Sequence, residues 1–179
     1  QMDDPYDKGA RDELQKETGE PYLFDERFPD RTRVAARVAL AVGLAAVQTA
    51  ETVNAACIVA PTMSGRTVRL VSNLRPRVPI YAVTPSERVM RQQQIHWGVV
   101  PMLGDVQGDM RSVVDNARDA VVSKGLLRPG DVAVFTAGDR STSPVVSKGP
   151  DGAESVAATN VMYVVQIRGK GEQDAEGDR

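Results

Sequence analysis

The sequence predicts an α/β domain: a mostly parallel five-stranded sheet with helices on both faces. Three observations carry this. Short apolar runs recur at 56–60, 80–83, 98–103, 131–137 and 160–167. Segments with apolar residues at three- and four-residue steps separate the first four runs, the spacing of a helix face. The runs are apolar along their whole length instead of alternating with polar residues, as strands covered on both sides are.

Residues 1–31 form a charged, mixed arm in which Tyr22, Leu23, Phe24 and Phe28 are the side chains able to pin it to the body. Docking is expected after Pro21 and disorder before Pro5. From 32 to 54, Val34, Val38, Leu40, Ala41, Leu44, Ala45, Val47 and Val53 recur at helical steps amid many alanines. That predicts a helix packed on more than one side, with Arg31, Arg33 and Arg37 at its outer end. The first strand, 56–60, feeds a Ser/Gly/Thr-rich turn and a helix from about 64 to 74, which the Arg75-Pro76-Arg77-Val78-Pro79 segment stops.

The strand at 80–83 is followed by Thr84-Pro85-Ser86-Glu87, a helix start with proline near its first turn, and by a third strand at 98–103. His96 and Trp97 lead into that strand, where a packing role is expected. Arg88 and Arg91 lie three apart and are placed to pair with Glu87. The pattern Met110, Val113, Val114, Ala117, Val121, Val122 gives another helix, closed by Gly125. Arg128-Pro129-Gly130-Asp131 is a turn into the fourth strand. A long polar loop, 138–158, separates it from the fifth, and 169–179 is a polar tail expected to be disordered.

With 179 residues, 41% of them hydrophobic, the chain is long enough for one domain with a full core, placed at 32–168. A net charge of -2 and a pI near 5.5 argue against a nucleic-acid partner, which calls for a basic face. One cysteine, Cys57, and one histidine leave neither an intramolecular disulfide nor a Cys/His zinc site, so Cys57 is expected as a small buried hydrophobe. No acidic cluster has metal-ligand spacing. No apolar run was expected to approach the roughly 20 residues of a membrane span, so no membrane partner and a cytoplasmic location are expected.

The residues that point to chemistry sit at the first turn. A helix beginning near Ser64 leaves its first N–H groups unpaired and carries a partial positive charge. Thr62, Ser64 and Thr67 add hydroxyls, Arg66 adds a guanidinium, and Gly65, without a Cβ, lets a ligand close to the backbone. That donor set suits an anion, most of all a phosphate. An aspartate at Gly65 is expected to place bulk and charge where the phosphate sits. The same residues also fit a capped helix whose hydroxyls only satisfy its own backbone. Ligands of open α/β sheets gather at the carboxyl ends of the strands, and the loops that qualify are 62–67, 84–87 and 138–158. The last holds Asp139 through Ser143, Lys148, Gly149, Asp151 and Gly152, able to close over an anion or to form a solvated excursion.

Four segments in register resemble the C-terminal domain of pyruvate kinase, bacterial ones especially: Ile58 to Thr67, Arg75 to Thr84, His96 to Leu103 and Pro129 to Gly138. The resemblance runs from about Thr32 to Ile167. It implies a three-layer α/β domain with the last strand antiparallel. In that family the domain follows a catalytic barrel and a lid, contributes to the tetramer interface, and in many members binds a phosphorylated allosteric effector.

The Thr-x-Ser-Gly-Arg-Ser/Thr turn that holds a sugar phosphate in relatives carries over to Thr62, Ser64, Gly65, Arg66 and Thr67. Gly138 and Arg140 follow from the second contact loop, although this chain ends that loop in Ala157-Ala158-Thr159-Asn160 where the family commonly has Gly-Thr-Thr-Asn. The family's magnesium and potassium belong to the barrel, whose motifs are absent here, so no catalytic residue, metal or cofactor is expected in this chain. The resemblance implies a regulatory and assembly domain that binds a phosphorylated sugar or a nucleoside monophosphate. It also implies a homo-oligomer, a dimer through the face that pairs these domains, and a barrel-bearing pyruvate kinase chain as a further partner. The alternative is a stand-alone enzyme or sensor for a small phosphorylated metabolite, with His96 or an acid of the 139–158 loop as base.

Overall fold

The structure, a computed structural model, describes residues 30–139, 146–148, 154–156 and 159–168, with side chains for 34–139 and 159–168. The expected docking of Tyr22, Leu23, Phe24 and Phe28, Arg140, Ser141 to Ser143, Gly149, Asp151, Gly152 and the 169–179 tail lie outside these residues, as do the side chains of Arg31, Arg33 and Lys148.

Five strands make the main sheet: β1 Cys57–Pro61, β2 Ile80–Thr84, β3 Val99–Leu103, β4 Val132–Ala137 and β7 Val161–Gln166, in the order β3-β2-β1-β4-β7. The first four run parallel to one another, with Ile58 opposite Ile80 and Val134, and Tyr81 opposite Val100. β7 closes one edge antiparallel to β4, as expected, with Val134 opposite Val164. Inside the long loop lies an element the sequence reading missed, a short antiparallel pair of β5 Val146–Lys148 and β6 Glu154–Val156.

Side chains alternate across a strand, so each strand feeds two cores. Ile58, Ala60, Ile80, Ala82 and Val134 meet α1 (Asp30–Thr52) and α2 (Arg66–Asn73) through Ala46, Ala50, Val68 and Val71. Val59, Tyr81, Val83 and Phe135 meet α4 (Met110–Ser123) through Val113, Val114, Ala117 and Val121 on the other face. Ile58, Val134 and Phe135 are fully buried, as a sheet covered on both sides requires. Cys57 is buried among them, and desolvation pushes its thiol up to about 12, with the Asp131 charge adding to the shift. It is an unreactive hydrophobe, as expected.

Two helix details differ from the sequence reading. α1 packs on one side, through Leu40, Ala46 and Ala50, while Val34, Ala41, Leu44 and Ala45 remain exposed. The alanine-rich pattern made all its faces look alike, and only the tertiary arrangement selects one. By length and composition the stretch Val34–Thr52 also passes as a membrane span, contrary to the expectation that no run would. Ala46 and Ala50 pack against the sheet, while most of the helix is not buried in this chain. α3 (Glu87–Gln93) begins with Ser86 as its cap, whose hydroxyl accepts the Val89 N–H, so Pro85 precedes the helix instead of opening it. The Arg91–Glu87 pair forms at 2.9 Å on the surface.

Trp97 is not in the core. It is exposed, with the Arg75 guanidinium 5.0 Å above its ring, while half-buried His96 has its pKa lowered by desolvation and by the Arg69 charge.

Candidate functional site

The sheet order turns round at β1, whose chain continues on one side to β2 and on the other side is flanked by β4. Loops leaving the carboxyl ends of such a pair diverge and leave a crevice. A cleft of about 700 Å³ opens there. It is lined from the β1 turn by Thr62, Ser64, Arg66 and Thr67, from the β3 loop by Val106 to Met110, and from the β4 end by Ala137, Gly138 and Asp139, with Thr159 across from Thr67.

Of the expected site residues, the structure therefore brings Thr62, Ser64, Arg66, Thr67 and Gly138 together. Gly65 is a partial correction. It has φ +79°, and a Cβ built on it would stand 2.0 Å from Nε2 of Gln93. Glycine is needed there because the buried Gln93 amide of α3 presses against the turn, and its Cβ direction points at that amide instead of at a ligand.

The hydroxyls divide their work. Thr62 is buried and accepts the Gly65 N–H at 2.8 Å, which folds the turn back on itself. Thr67 shares a hydrogen bond with Thr159, tying the start of α2 to the strand on the far side of the cleft. Ser64 does not cap the helix: Gly65 occupies the cap position and no side chain closes it. The first intrahelical bond runs from Arg69 N to Gly65 O, so the N–H groups of Arg66, Thr67 and Val68 come before it. These donors form the positive end of α2. Among the described residues no carboxylate lies within ion-pair distance of Arg66.

The loop at 84–87, expected to contribute, does not reach the cleft. Its hydroxyls turn inward, Thr84 accepting the Ser86 N–H at 3.4 Å and Ser86 capping α3. Its place is taken by the β3 loop, which the sequence reading passed over. There Asp109 caps α4, its Oδ1 accepting the Ser112 N–H at 2.8 Å. An aspartate three residues before a serine, ahead of an apolar helix face, was the local signal for that cap. His96 is not among the cleft residues; it precedes β3, at the amino ends of the parallel strands, which removes it as a base for this site. No group of three or more His, Cys, Asp or Glu able to hold a metal occurs among the described residues.

The loop that leaves β4 is gathered at its neck. The Asp139 N–H donates to Asn160 Oδ1 at 2.7 Å, and Asn160 Nδ2 donates to the Asp139 carbonyl at 3.0 Å.

Comparison with known proteins agrees with this architecture. The family profile of the pyruvate kinase alpha/beta domain matches residues 40–165. Among curated relatives, the pyruvate kinase of Geobacillus stearothermophilus is 34% identical over 131 residues, 73% of this chain and 21% of that enzyme. Pyruvate kinases of Staphylococcus epidermidis and Staphylococcus aureus are each 39% identical over 116 residues, 64% of this chain and 20% of theirs. The chain thus spans about a fifth of the length of the relatives it matches.

Proposed function

The chain belongs to the pyruvate kinase alpha/beta-domain family, and from that premise we propose that it is a regulatory and assembly domain binding a phosphorylated metabolite at the Thr62–Thr67 turn. The observation that carries this reading is the conjunction of an uncapped helix N-terminus and the Arg66 guanidinium on one wall of a 700 Å³ cleft. Backbone N–H groups at a helix start fix a phosphate's position, and a guanidinium supplies charge and a two-pronged contact. The cleft is of ligand size, so the rest of a sugar phosphate or a nucleoside monophosphate has room beyond the phosphate.

The reading assigns this chain no phosphoryl transfer of its own. Such chemistry depends on metal ions and charged groups around the moving phosphoryl group, and the resemblance assigns these to the family's catalytic barrel, not to the alpha/beta domain. Calorimetric titration of the folded chain with inorganic phosphate, glucose 6-phosphate, ribose 5-phosphate and AMP tests it. We expect saturable binding of at least one ester below millimolar concentration, and no turnover of phosphoenolpyruvate with ADP by the same preparation. Absence of all binding, or turnover abolished by a substitution in this chain, refutes the reading.

Assembly is supported by α1. It exposes Val34, Ala41, Leu44 and Ala45 and contacts β7, the antiparallel edge strand, where Val164, paired with Val134 and so on the helix's side of the sheet, is 49% exposed. Apolar surface beside a strand that, among the described residues, ends the sheet is suited to a second copy related by a two-fold axis. Light scattering is expected to give a dimer at tens of micromolar and a monomer for Leu44→Glu; a wild-type monomer at that concentration counts against it. A barrel-bearing pyruvate kinase chain is the further partner this reading proposes, and the cytoplasm, where glycolytic enzymes work, its location.

A further inference from the structure

The two walls of the cleft differ in sign. Among its described lining residues Arg66 is the cation, on the turn side, while Asp109 and Asp139 bring carboxylates from the β3 and β4 loops. Val106, Met110 and Val113 add apolar surface to the lining. The Asp109 carboxylate is held in place by its bond to the Ser112 N–H. Hydrogen bonds from the Ser112 backbone and hydroxyl, with Arg111 nearby, keep its carboxyl below the usual carboxylate range, so it is ionised at neutral pH.

We infer that, for a ligand whose one phosphate sits in this cleft, Asp109 is the residue that turns away a second phosphate and favours hydroxyl or amino hydrogen-bond donors at the far end. The inference rests on the reading that the first phosphate sits at Arg66. A ligand anchored there extends across Val106 and Met110 toward the acidic wall. A carboxylate accepts hydrogen bonds from O–H and N–H groups but repels a phosphate dianion, which needs a cation in its place. The β3 loop and the cap of α4 therefore set selectivity, while the β1 turn sets affinity for the phosphate. Sugar phosphates and nucleoside monophosphates share the required chemistry, the donors being ring hydroxyls in one and ribose or base groups in the other.

Matched pairs that differ by one phosphate test this on the full chain: fructose 6-phosphate against fructose 1,6-bisphosphate, and AMP against adenosine 3′,5′-bisphosphate. Each is titrated into wild type, Asp109→Asn and Asp109→Ser, with inorganic phosphate as the control. Asparagine and serine are good helix caps, so both variants should retain the fold, which thermal unfolding checks.

In wild type at least one monoester should bind about five-fold or more tightly than its bisphosphate, since a unit charge several ångströms from a dianion in a wet cleft has that order of effect. Both variants should bring that pair close to parity by tightening the bisphosphate, with inorganic phosphate unchanged. Preference confined to the fructose pair assigns the donors to a sugar, and preference confined to the adenosine pair assigns them to a nucleoside; either supports the inference. Equal binding of both members of every pair in wild type, or a preference that neither variant changes, overturns it while the phosphate site stands. Failure of every compound, inorganic phosphate included, overturns the phosphate site and this inference with it.

Discussion

Gly65→Ala is expected to lower the stability of the folded domain by about 2–4 kcal/mol, through two additive causes. At φ +79° an L-residue is strained, at about 1–2 kcal/mol in the left-handed region. The new methyl also meets Gln93 Nε2 at 2.0 Å and Cδ at 2.5 Å, and forcing a packed interior to yield costs about 1–3 kcal/mol. The Gln93 amide is the far end of its side chain and must swing aside, but it is buried, so it moves only against packed neighbours. Denaturant unfolding should show the midpoint falling with the slope unchanged. A loss no larger than the backbone strain alone, about 1–2 kcal/mol, would show that α3 does not press on the turn as described. Gly65→Asp carries the same clash, so loss of ligand binding in that variant reports a damaged turn before it reports repulsion of a phosphate.

The second large effect is on binding. Arg66→Ala is expected to weaken the phosphorylated ligand by about 1.5–3 kcal/mol, roughly ten- to a hundred-fold in Kd, because a charge-assisted contact is lost while the backbone donors remain. Arg66 is exposed and none of the described carboxylates pairs with it, so the unfolding midpoint should not move. Arg66→Lys should fall between, keeping the charge and losing the planar fork. Ser64→Ala should cost less than either and leave stability alone, since Ser64 caps nothing. An Arg66→Ala domain that binds every ligand as wild type does would remove the phosphate assignment.

The sheet was legible because its strands are runs such as Cys57–Pro61 and Ile80–Thr84, buried at every position, and such runs need no knowledge of their neighbours to be recognised. What the sequence concealed depends on contacts between distant segments. Gly65 reads locally as an open approach to the backbone, yet the reason for it is Gln93, 28 positions later and in another helix. The Asp109 cap was readable from neighbours, but its place in the cleft follows from β3 lying on the same end of the sheet as β1 and β4. Trp97 was expected to pack because it leads into an apolar strand, but that strand lies at the sheet edge and the indole is exposed beneath Arg75.

The paired bonds between Asp139 and Asn160 bring the two ends of the intervening chain together. With the ends tied, the free energy of the segment depends on its length only logarithmically, each doubling costing about 0.6 kcal/mol. Length there is nearly uncoupled from the walls of the cleft. Evolution can vary the excursion, and an engineer can splice a reporter into it, while β4 and β7 keep their register.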